Sequence, residues 1–168
     1  CANEGSLEVH GVHVETNVSG DSGGGVSMTH GDALYTRNTF VANTSGGASG
    51  ARCTGSSTCV VQDNRFERNI GRTGGGLAIS NVDGGRWERN LFCDNEVSGM
   101  LLSGLGGAVI TALGGHTSAE GNVYVRNRAT SHGGAVYAGI EGEFRHETYV
   151  ANHADLGGAA MSLSADVE

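Results

Sequence analysis

The chain of 168 residues is long enough for one domain with a sizeable hydrophobic core and too short for two ordinary domains. It contains 30 Gly, no Pro and only 5% aromatic residues. The many Val, Leu and Ile argue against disorder, and the Gly residues do not follow the Gly-X-Y period of collagen. All 10 basic side chains are Arg and the net charge is −8 at pH 7, which disfavours nucleic acids and other polyanions as partners.

One short pattern recurs along nearly the whole chain. Its copies start at intervals of 26, 26, 26, 32 and 25 residues and read VHVETN (12–17), NTFVAN (38–43), NRFERN (64–69), NLFCDN (90–95), NVYVRN (122–127) and ETYVAN (147–152). A nearly constant period of this size is typical of a solenoid in which each repeat is one structural unit.

A glycine-rich signature follows each copy at the same phase. It reads GGGVSM (23–28), the weaker SGARCT (49–54), GGGLAI (74–79), GGAVIT (106–111), GGAVYA (133–138) and GGAAMS (157–162). A third apolar stretch, such as ALYTR (33–37), leads into the next copy. Gly pairs would interrupt helices, whereas short alternating runs bounded by Gly, Asn and Ser are typical of strands. We therefore predict an all-β, right-handed parallel β-helix of about six coils, with three short strands per coil and coils roughly 4.8 Å apart.

Two columns of the repeat have a clear physical role. The third residue of each copy is predicted to point inward and to stack on its equivalents as the hydrophobic filling; these residues are Val14, Phe40, Phe66, Phe92, Tyr124 and Tyr149. The last residue of each copy is Asn, which tolerates the left-handed turn conformation and whose amide can bond to the coils on either side. We therefore predict an Asn ladder of Asn17, Asn43, Asn69, Asn95, Asn127 and Asn152.

Four cysteines bear on the compartment of the protein. Cys53 and Cys59 flank the segment TGSST and either form a disulfide or remain two buried thiols. Cys93 follows the inward Phe92 and is predicted to face outward as a free thiol. Cys1 has two interpretations: a lipid anchor on the first residue of a mature bacterial lipoprotein, or an arbitrary start of the sequence.

The outward positions of the Phe-bearing strand are mostly apolar in the last three copies. One contiguous apolar surface, of the kind that commonly marks a contact, is predicted at Leu91, Cys93, Val123, Val125 and Val150. The fourth copy also carries the one long insertion, VSGMLLSG (97–104), whose tip residues are Met100, Leu101 and Leu102. This tip either folds over the apolar surface or binds a partner.

Groups that could support catalysis or metal binding are sparse. The residues before the ladder Asn include Arg68, Asp94 and Arg126, an alternation that fits salt bridges between coils better than a catalytic site. The His residues are scattered, and no column of His or Asp supplies the converging ligands that a metal needs. We predict no catalytic residues, no metal site and no cofactor. Residues 97–119 carry no charge, but Gly residues interrupt them, so we predict no transmembrane span.

The repeat resembles that of the chlamydial polymorphic membrane proteins, in which Phe-x-x-Asn is followed by Gly-Gly-Ala-Ile or Gly-Gly-Ala-Val. The resemblance is clearest in YVRNRATSHGGAVY (124–137) and YVANHADLGGAAM (149–161). It implies a β-helix of the pectin-lyase type that is exposed on the cell surface and linked to adhesion. The sequence departs from that pattern because its second repeat has no Gly-Gly pair and because it contains no Lys.

We expect a single β-helix domain over residues 1–168 that is a fragment or a module without its own caps, because neither end resembles a capping helix. The leading hypothesis is a non-catalytic bacterial scaffold, similar to an adhesin, that is extracellular or associated with the outer membrane. It would present one face to a protein or glycan partner. The alternatives are a carbohydrate-active lyase or hydrolase with an unrecognised site, and a structural subunit that stacks on copies of itself into a filament.

Overall fold

The computed structural model describes residues 2–3, 5–21, 23–56, 58–99 and 104–164, so Cys1 lies outside the described residues. Short runs rich in Val, Thr and aromatic residues form strands, because such side chains fit a pleated surface. Each strand is paired in parallel with its equivalents in the neighbouring repeats. The predicted all-β parallel β-helix of about six coils is confirmed.

The strands are short, with two to five residues each. In chain order they are β1 (Ala2–Asn3), β2 (Ser6–His10), β3 (His13–Glu15), β4 (Val18–Ser19), β5 (Val26–Thr29), β6 (Asp32–Thr36), β7 (Thr39–Val41), β8 (Thr44–Ser45), β9 (Ala51–Thr54), β10 (Thr58–Gln62), β11 (Arg65–Glu67), β12 (Ile70–Gly71), β13 (Leu77–Ser80), β14 (Gly84–Glu88), β15 (Leu91–Cys93), β16 (Glu96–Val97), β17 (Val109–Ala112), β18 (His116–Glu120), β19 (Val123–Val125), β20 (Arg128–Ala129), β21 (Val136–Ala138), β22 (Gly142–Arg145), β23 (Thr148–Val150), β24 (His153–Ala154) and β25 (Met161–Leu163).

Four parallel sheets form the walls of the described solenoid, so the prediction of three strands per coil was wrong. Sheet A contains β1, β5, β9, β13, β17, β21 and β25; sheet B contains β2, β6, β10, β14, β18 and β22; sheet C contains β3, β7, β11, β15, β19 and β23; sheet D contains β4, β8, β12, β16, β20 and β24. The strands of sheet D were missed because each has only two residues, too few to show a periodicity.

A column of stacked rings on the inner face of sheet C fills much of the interior. The six predicted core residues lie in this column in register: Val14, Phe40, Phe66, Phe92, Tyr124 and Tyr149. Consecutive ring centroids lie 4.8, 4.8, 5.2 and 5.0 Å apart, and the rings are nearly parallel. This separation is close to the strand spacing, because each ring projects from the equivalent position of its coil. The four middle rings are completely buried, whereas the two terminal residues are partly buried.

A ladder of amide hydrogen bonds follows the ring column at the turn from sheet C to sheet D. Its members are the predicted residues Asn17, Asn43, Asn69, Asn95, Asn127 and Asn152. Each of the first five members donates its backbone N–H and one Nδ2–H to the Oδ1 of the next member, at 2.9–3.1 Å. In the five later members, Nδ2 also donates to the carbonyl of the stacked residue one coil back, as from Asn69 to Phe40 at 3.0 Å. These bonds satisfy polar groups that are shielded from water.

The ladder residues do not adopt the left-handed conformation that the sequence suggested for them. The residue immediately before each Asn adopts it instead, with φ between 51° and 56°, and these residues are Thr16, Ala42, Arg68, Asp94, Arg126 and Ala151. The chain must turn sharply here while the Asn amide stays inside. The uncommon backbone angle therefore falls on the preceding residue, and the Asn keeps ordinary angles for its hydrogen bonds.

A second Asn ladder, which was not predicted, lies at the turn from sheet B to sheet C. Its members are Asn38, Asn64, Asn90 and Asn122, and each is at most 3% exposed. They repeat the same bonds, with donor–acceptor distances of 2.8–3.1 Å. The signal was present in the sequence, because the four middle copies of the repeat begin with Asn. Val12 and Glu147 occupy this position in the first and last copies.

Glu147 replaces Asn in the last rung of the second ladder. Its Oε1 accepts the backbone N–H of Asn122 at 3.0 Å and the Nδ2–H at 3.1 Å. Burial raises the pKa of Glu147, and hydrogen bonds from Asn122 and from the hydroxyl of Tyr124 partly oppose this effect. The same hydroxyl accepts the indole N–H of Trp87 at 2.8 Å. A buried polar network therefore crosses the interior between sheets B and C.

Cys53 and Cys59 form a disulfide, the first of the two alternatives that the sequence left open. Both residues are completely buried at inward positions of β9 and β10. The bond therefore closes the turn between sheets A and B within one coil. Closing so short a loop is worth roughly 2 kcal/mol in the chain-entropy account of disulfides.

Replacing one buried ladder residue should strongly destabilise the fold. Asn69→Ala leaves the backbone N–H of Asn43 and the carbonyl of Phe40 without their bonds to the Asn69 side chain, and it removes one of the two hydrogen bonds that Asn95 Oδ1 accepts. We expect a loss of roughly 3 kcal/mol or more in the free energy of unfolding, measured by chemical denaturation. The control is Asn17→Ala at the exposed end of the ladder, which should cost less than about 1 kcal/mol because water replaces the lost bonds. Equal costs at the two positions would contradict this account.

Replacing Glu147 should change how stability depends on pH. The folded state raises the pKa of Glu147 above its ordinary value of 4.5, so the folded protein binds the carboxyl proton more tightly than the unfolded chain does. Stability is therefore lost as the pH rises from 4.5 through the raised pKa of the folded protein. Glu147→Gln keeps an acceptor for Asn122 without a buried charge. The variant should be more stable than the wild type near neutral pH, and the difference should shrink as the pH falls through the raised pKa of Glu147 towards 4.5 and stay constant at lower pH.

Glu143→Gln is the matched control, because it removes one negative charge from an exposed position of the adjacent strand β22. Thermal unfolding followed across the acidic range provides the measurement. A stability difference between Glu147→Gln and the wild type that is constant with pH would show that the buried carboxylate is not its source.

Candidate functional site

The outer face of sheet C carries the apolar surface predicted from the sequence. Leu91 pairs in register with Val123, and Cys93, Val125 and Val150 form the adjoining row. The first and last side chains of each three-residue strand point outward, so these five lie side by side on one wall. Val150 is 47% exposed and the others are partly exposed. We call these five residues the sheet C strip.

Ion pairs border the strip at the turn to sheet D. Arg126 donates to both carboxylate oxygens of Asp94 at 2.7 Å, which makes a two-pronged pair between neighbouring coils. The predicted charge ladder of Arg68, Asp94 and Arg126 is therefore only partly formed. Arg68 bonds instead to Glu67, because the carboxylate of this preceding residue lies within reach in the same coil.

Cys93 lies at the junction of the apolar strip and this charged border. Its thiol donates to Asp94 Oδ2 at 3.1 Å, and Arg126 Nη2 lies 3.3 Å from the sulfur. Burial raises the pKa of the Cys93 thiol, and the hydrogen bond to Asp94 raises it further. The hydrogen bonds from Arg126 to Asp94 lower the pKa of Asp94. Cys93 is a free, partly exposed cysteine. Burial and Asp94 favour its protonated form, and Arg126 partly opposes them by lowering the thiol pKa.

Charged pairs also form the opposite border, at the turn from sheet B. Arg89 donates to Asp63 Oδ1 at 2.9 Å and to Glu88 at 3.3 Å. In the last coils, His146 Nδ1 lies 3.6 Å from Glu120 Oε1. The sheet C strip is therefore an apolar band between two charged borders.

The insertion in the fourth repeat begins and ends away from the strip. Its predicted tip residues, Met100, Leu101 and Leu102, lie outside the described residues. The carbonyl of Gly99 accepts the hydroxyl of Thr130 at 2.7 Å, and the carbonyl of Gly104 accepts the N–H of Ser131 at 2.9 Å. These anchoring contacts belong to the turn between sheets D and A, on a different wall from sheet C.

Across the described ranges, no group of three or more His, Cys, Asp and Glu side chains is placed to hold a metal ion. His13 and His153 each contact one carboxylate, of Glu15 and Asp155. No helix in this part of the chain is long and apolar enough to cross a membrane.

A groove on the outer face of sheet A was not predicted. The outward residues Ala78 and Ile110 are only 6% and 8% exposed, because the turn that leads into sheet A covers them. At Tyr137, in the following coil, this cover recedes and a groove of about 500 Å³ opens. Its lining includes Leu105, Ser131, His132, Tyr137, Leu156 and Ser162. GGAVYA is the one glycine-rich copy with an aromatic outward residue, and this signal could have identified the groove.

Neutralising Asp94 should make the Cys93 thiol more reactive. Asp94→Asn removes the carboxylate that raises the thiol pKa, so the thiolate fraction should increase. We expect alkylation by iodoacetamide to accelerate by about threefold or more, measured in a Cys1→Ser background so that Cys93 reports alone.

The matched control is Asp155→Asn. Asp155 is likewise a partly exposed carboxylate paired with an Arg of a neighbouring strand, but it lies on the wall of sheet D. This variant should alkylate at the wild-type rate. A slower reaction in Asp94→Asn than in the wild type would show that Asp94 does not hold the thiol protonated.

Comparison with known proteins agrees with the geometry of the solenoid. A sequence profile of the family described as right handed beta helix region matches residues 3–153. Neither the curated proteins nor the solved structures searched contain a significant match to the chain. The profile spans most of the chain, including the ring column, both Asn ladders and the sheet C strip. The protein therefore belongs to the right-handed β-helix family.

Proposed function

We propose that this protein is a non-catalytic β-helix module that presents the sheet C strip to a protein partner at a bacterial surface. The observation that carries the proposal is the in-register apolar strip between two charged borders. An apolar centre with a polar rim is the usual anatomy of a protein interface. The β-helix fold is also consistent with carbohydrate-active roles, but the aliphatic side chains of the strip offer no hydrogen bonds to sugar hydroxyls.

The charged borders extend the contact surface beyond the strip. A stable interface covers roughly 800 Å² on each partner, which is more than five partly exposed side chains provide. Arg126, Asp94 and Arg89 would therefore lie within the contact. Charges at an interface rim act mainly on the rate and orientation of association. Binding to the strip should accordingly weaken as the salt concentration rises.

Two observations support a location outside the cytoplasm. The buried disulfide between Cys53 and Cys59 is a bond that persists in oxidising compartments. The repeat also resembles that of the chlamydial polymorphic membrane proteins, which are exposed on the cell surface. We propose an adhesin-like role of the same kind for this module.

Protection of Cys93 from thiol reagents tests whether the strip is covered by a partner. The protein is expressed with Cys1 intact in its source cells, and the labelling rate of Cys93 by a membrane-impermeant maleimide, quantified on the peptide that contains Cys93, is compared with that of the purified protein. We expect labelling in place to be slower by about tenfold or more. Mild protease treatment of the surface should restore the rate if the partner is a protein.

A cysteine on another wall provides the control for this experiment. Val60 is a partly exposed outward residue of sheet B, and Val60→Cys in a Cys93→Ser background should label equally well in place and in solution. Equal labelling of Cys93 in the two settings would contradict the proposal. Release of unsaturated ends from acidic polysaccharides by the purified protein would contradict its non-catalytic character.

A further inference from the structure

Tyr137 occupies an unusual position among the aromatic residues of the chain. The chain has four Phe, four Tyr and one Trp. Eight of these side chains lie in the interior or pack against it. Tyr137 is the exception, because it projects from the outer face of β21 and packs beside Ile110 on the outside of the solenoid. An aromatic ring on an outer wall provides a flat apolar platform with a polar hydroxyl at its edge.

Polar groups with unused hydrogen-bonding capacity surround this ring. Ser131 is 1% exposed, and its Oγ lies 2.7 Å from His132 Nδ1, which fixes the orientation of the imidazole. Within the described residues, neither His132 Nε2 nor the Tyr137 hydroxyl has a hydrogen-bond partner. Ser162 lies next to Tyr137 in the adjoining strand. These groups line the groove of about 500 Å³, a size within the range of roughly 300–1,000 Å³ of small-molecule sites.

The absence of a side chain at Gly157 keeps the edge of the imidazole open. A Cβ at this position would lie 3.3 Å from Cδ2 and 3.8 Å from Nε2 of His132. The backbone of Gly157 has no positive φ that would require glycine. A side chain at this position would therefore narrow the groove beside His132 without straining the backbone.

The described lining of the groove contains neither a carboxylate nor a guanidinium group. Asp155, which lies just before the lining residue Leu156, is paired with Arg128 at 3.1 Å. The net charge of −8 would also repel an acidic ligand. A ligand that suits this lining has an apolar face, several hydroxyls and no charge.

We infer that the Tyr137 groove binds a neutral pyranose unit of a glycan chain. The C–H face of the sugar would pack on the Tyr137 ring, and its hydroxyls would bond to His132 Nε2, the Tyr137 hydroxyl and Ser162. The inference goes beyond the proposed function, because the groove lies on sheet A and the sheet C strip on another wall. Either site can fail its test without affecting the other.

Saturation-transfer NMR and calorimetry with defined oligosaccharides test this inference on the full chain. The probes are the neutral hexasaccharides of glucose in α and β linkage, of mannose and of N-acetylglucosamine, with an oligogalacturonate as the acidic comparison. We expect at least one neutral probe to bind with a Kd below about 10 mM and the acidic probe to bind more weakly. Failure of every neutral probe to bind, or tighter binding of the oligogalacturonate, would overturn the inference.

Three variants show whether binding occurs at this groove. Tyr137→Leu keeps an apolar side chain but removes the ring, and should weaken binding by about tenfold or more. Tyr137→Phe keeps the ring and should stay within about threefold of the wild type. Gly157→Val keeps Tyr137 but narrows the groove beside His132, and should weaken binding as well.

Thermal unfolding establishes that each variant is folded before its affinity is compared. If Tyr137→Leu is unstable, Gly157→Val tests the same groove independently, because its substitution lies outside the cluster that packs around Ile110. An affinity unchanged by both variants would place the sugar elsewhere and overturn the inference.

Discussion

The buried Asn amide is the interaction on which the rest of this solenoid depends. Its Oδ1 accepts two hydrogen bonds from the Asn of the preceding coil. Its Nδ2 donates one hydrogen bond to the Asn of the following coil and another to a carbonyl one coil back. No other uncharged side chain combines this reach with both donor and acceptor groups at so small a volume. Repeating it in every coil satisfies the polar groups at a sharp turn and fixes the register between coils.

The two ladders hold sheet C from both sides. One follows the turn that enters the sheet and the other the turn that leaves it, while the ring column packs against its inner face. Of the four walls, sheet C is the one held at both its turns by such ladders in the described chain. An outer surface on this wall is therefore presented by a rigid backbone, which lowers the entropy cost of binding a partner.

The outward side chains can differ from coil to coil because the ring column and the Asn ladders in the interior stabilise the fold. On sheet C, the outward residues are the charged Arg65 and Glu67 in β11 but apolar side chains in β15 and β19. On sheet A, the turn before the sheet covers Ala78 and Ile110 but leaves Tyr137 accessible. The same repeat thus carries two different surfaces, an aliphatic strip and a groove with polar groups, on two walls.

Sequence reasoning succeeded where one residue type recurred in every coil. The period, the ring column and the six-member ladder could be assigned because each aromatic or Asn position repeats at the coil length. The strands of sheet D escaped because two residues carry no periodicity, and the second ladder was missed because Val12 and Glu147 interrupt it at the ends. Ala42 and its equivalents adopt the left-handed conformation. Which residue of a turn does so depends on the backbone geometry of the folded chain, which composition does not reveal. The groove at Tyr137 depends on how far a neighbouring turn covers sheet A, which only the folded chain shows.

The central claim is that the sheet C strip serves contact with a partner and is not needed to build the fold. The most direct measurement is the free energy of unfolding of the triple variant Val123→Thr, Val125→Thr and Val150→Thr, compared with the single variant Val61→Thr. Val61 is completely buried, so a hydroxyl there should cost roughly 1–3 kcal/mol. The account predicts that the triple variant loses less stability than this single one, because its hydroxyls remain in contact with water. A larger loss in the triple variant would show that the strip is part of the structural core and would contradict its role as a binding surface.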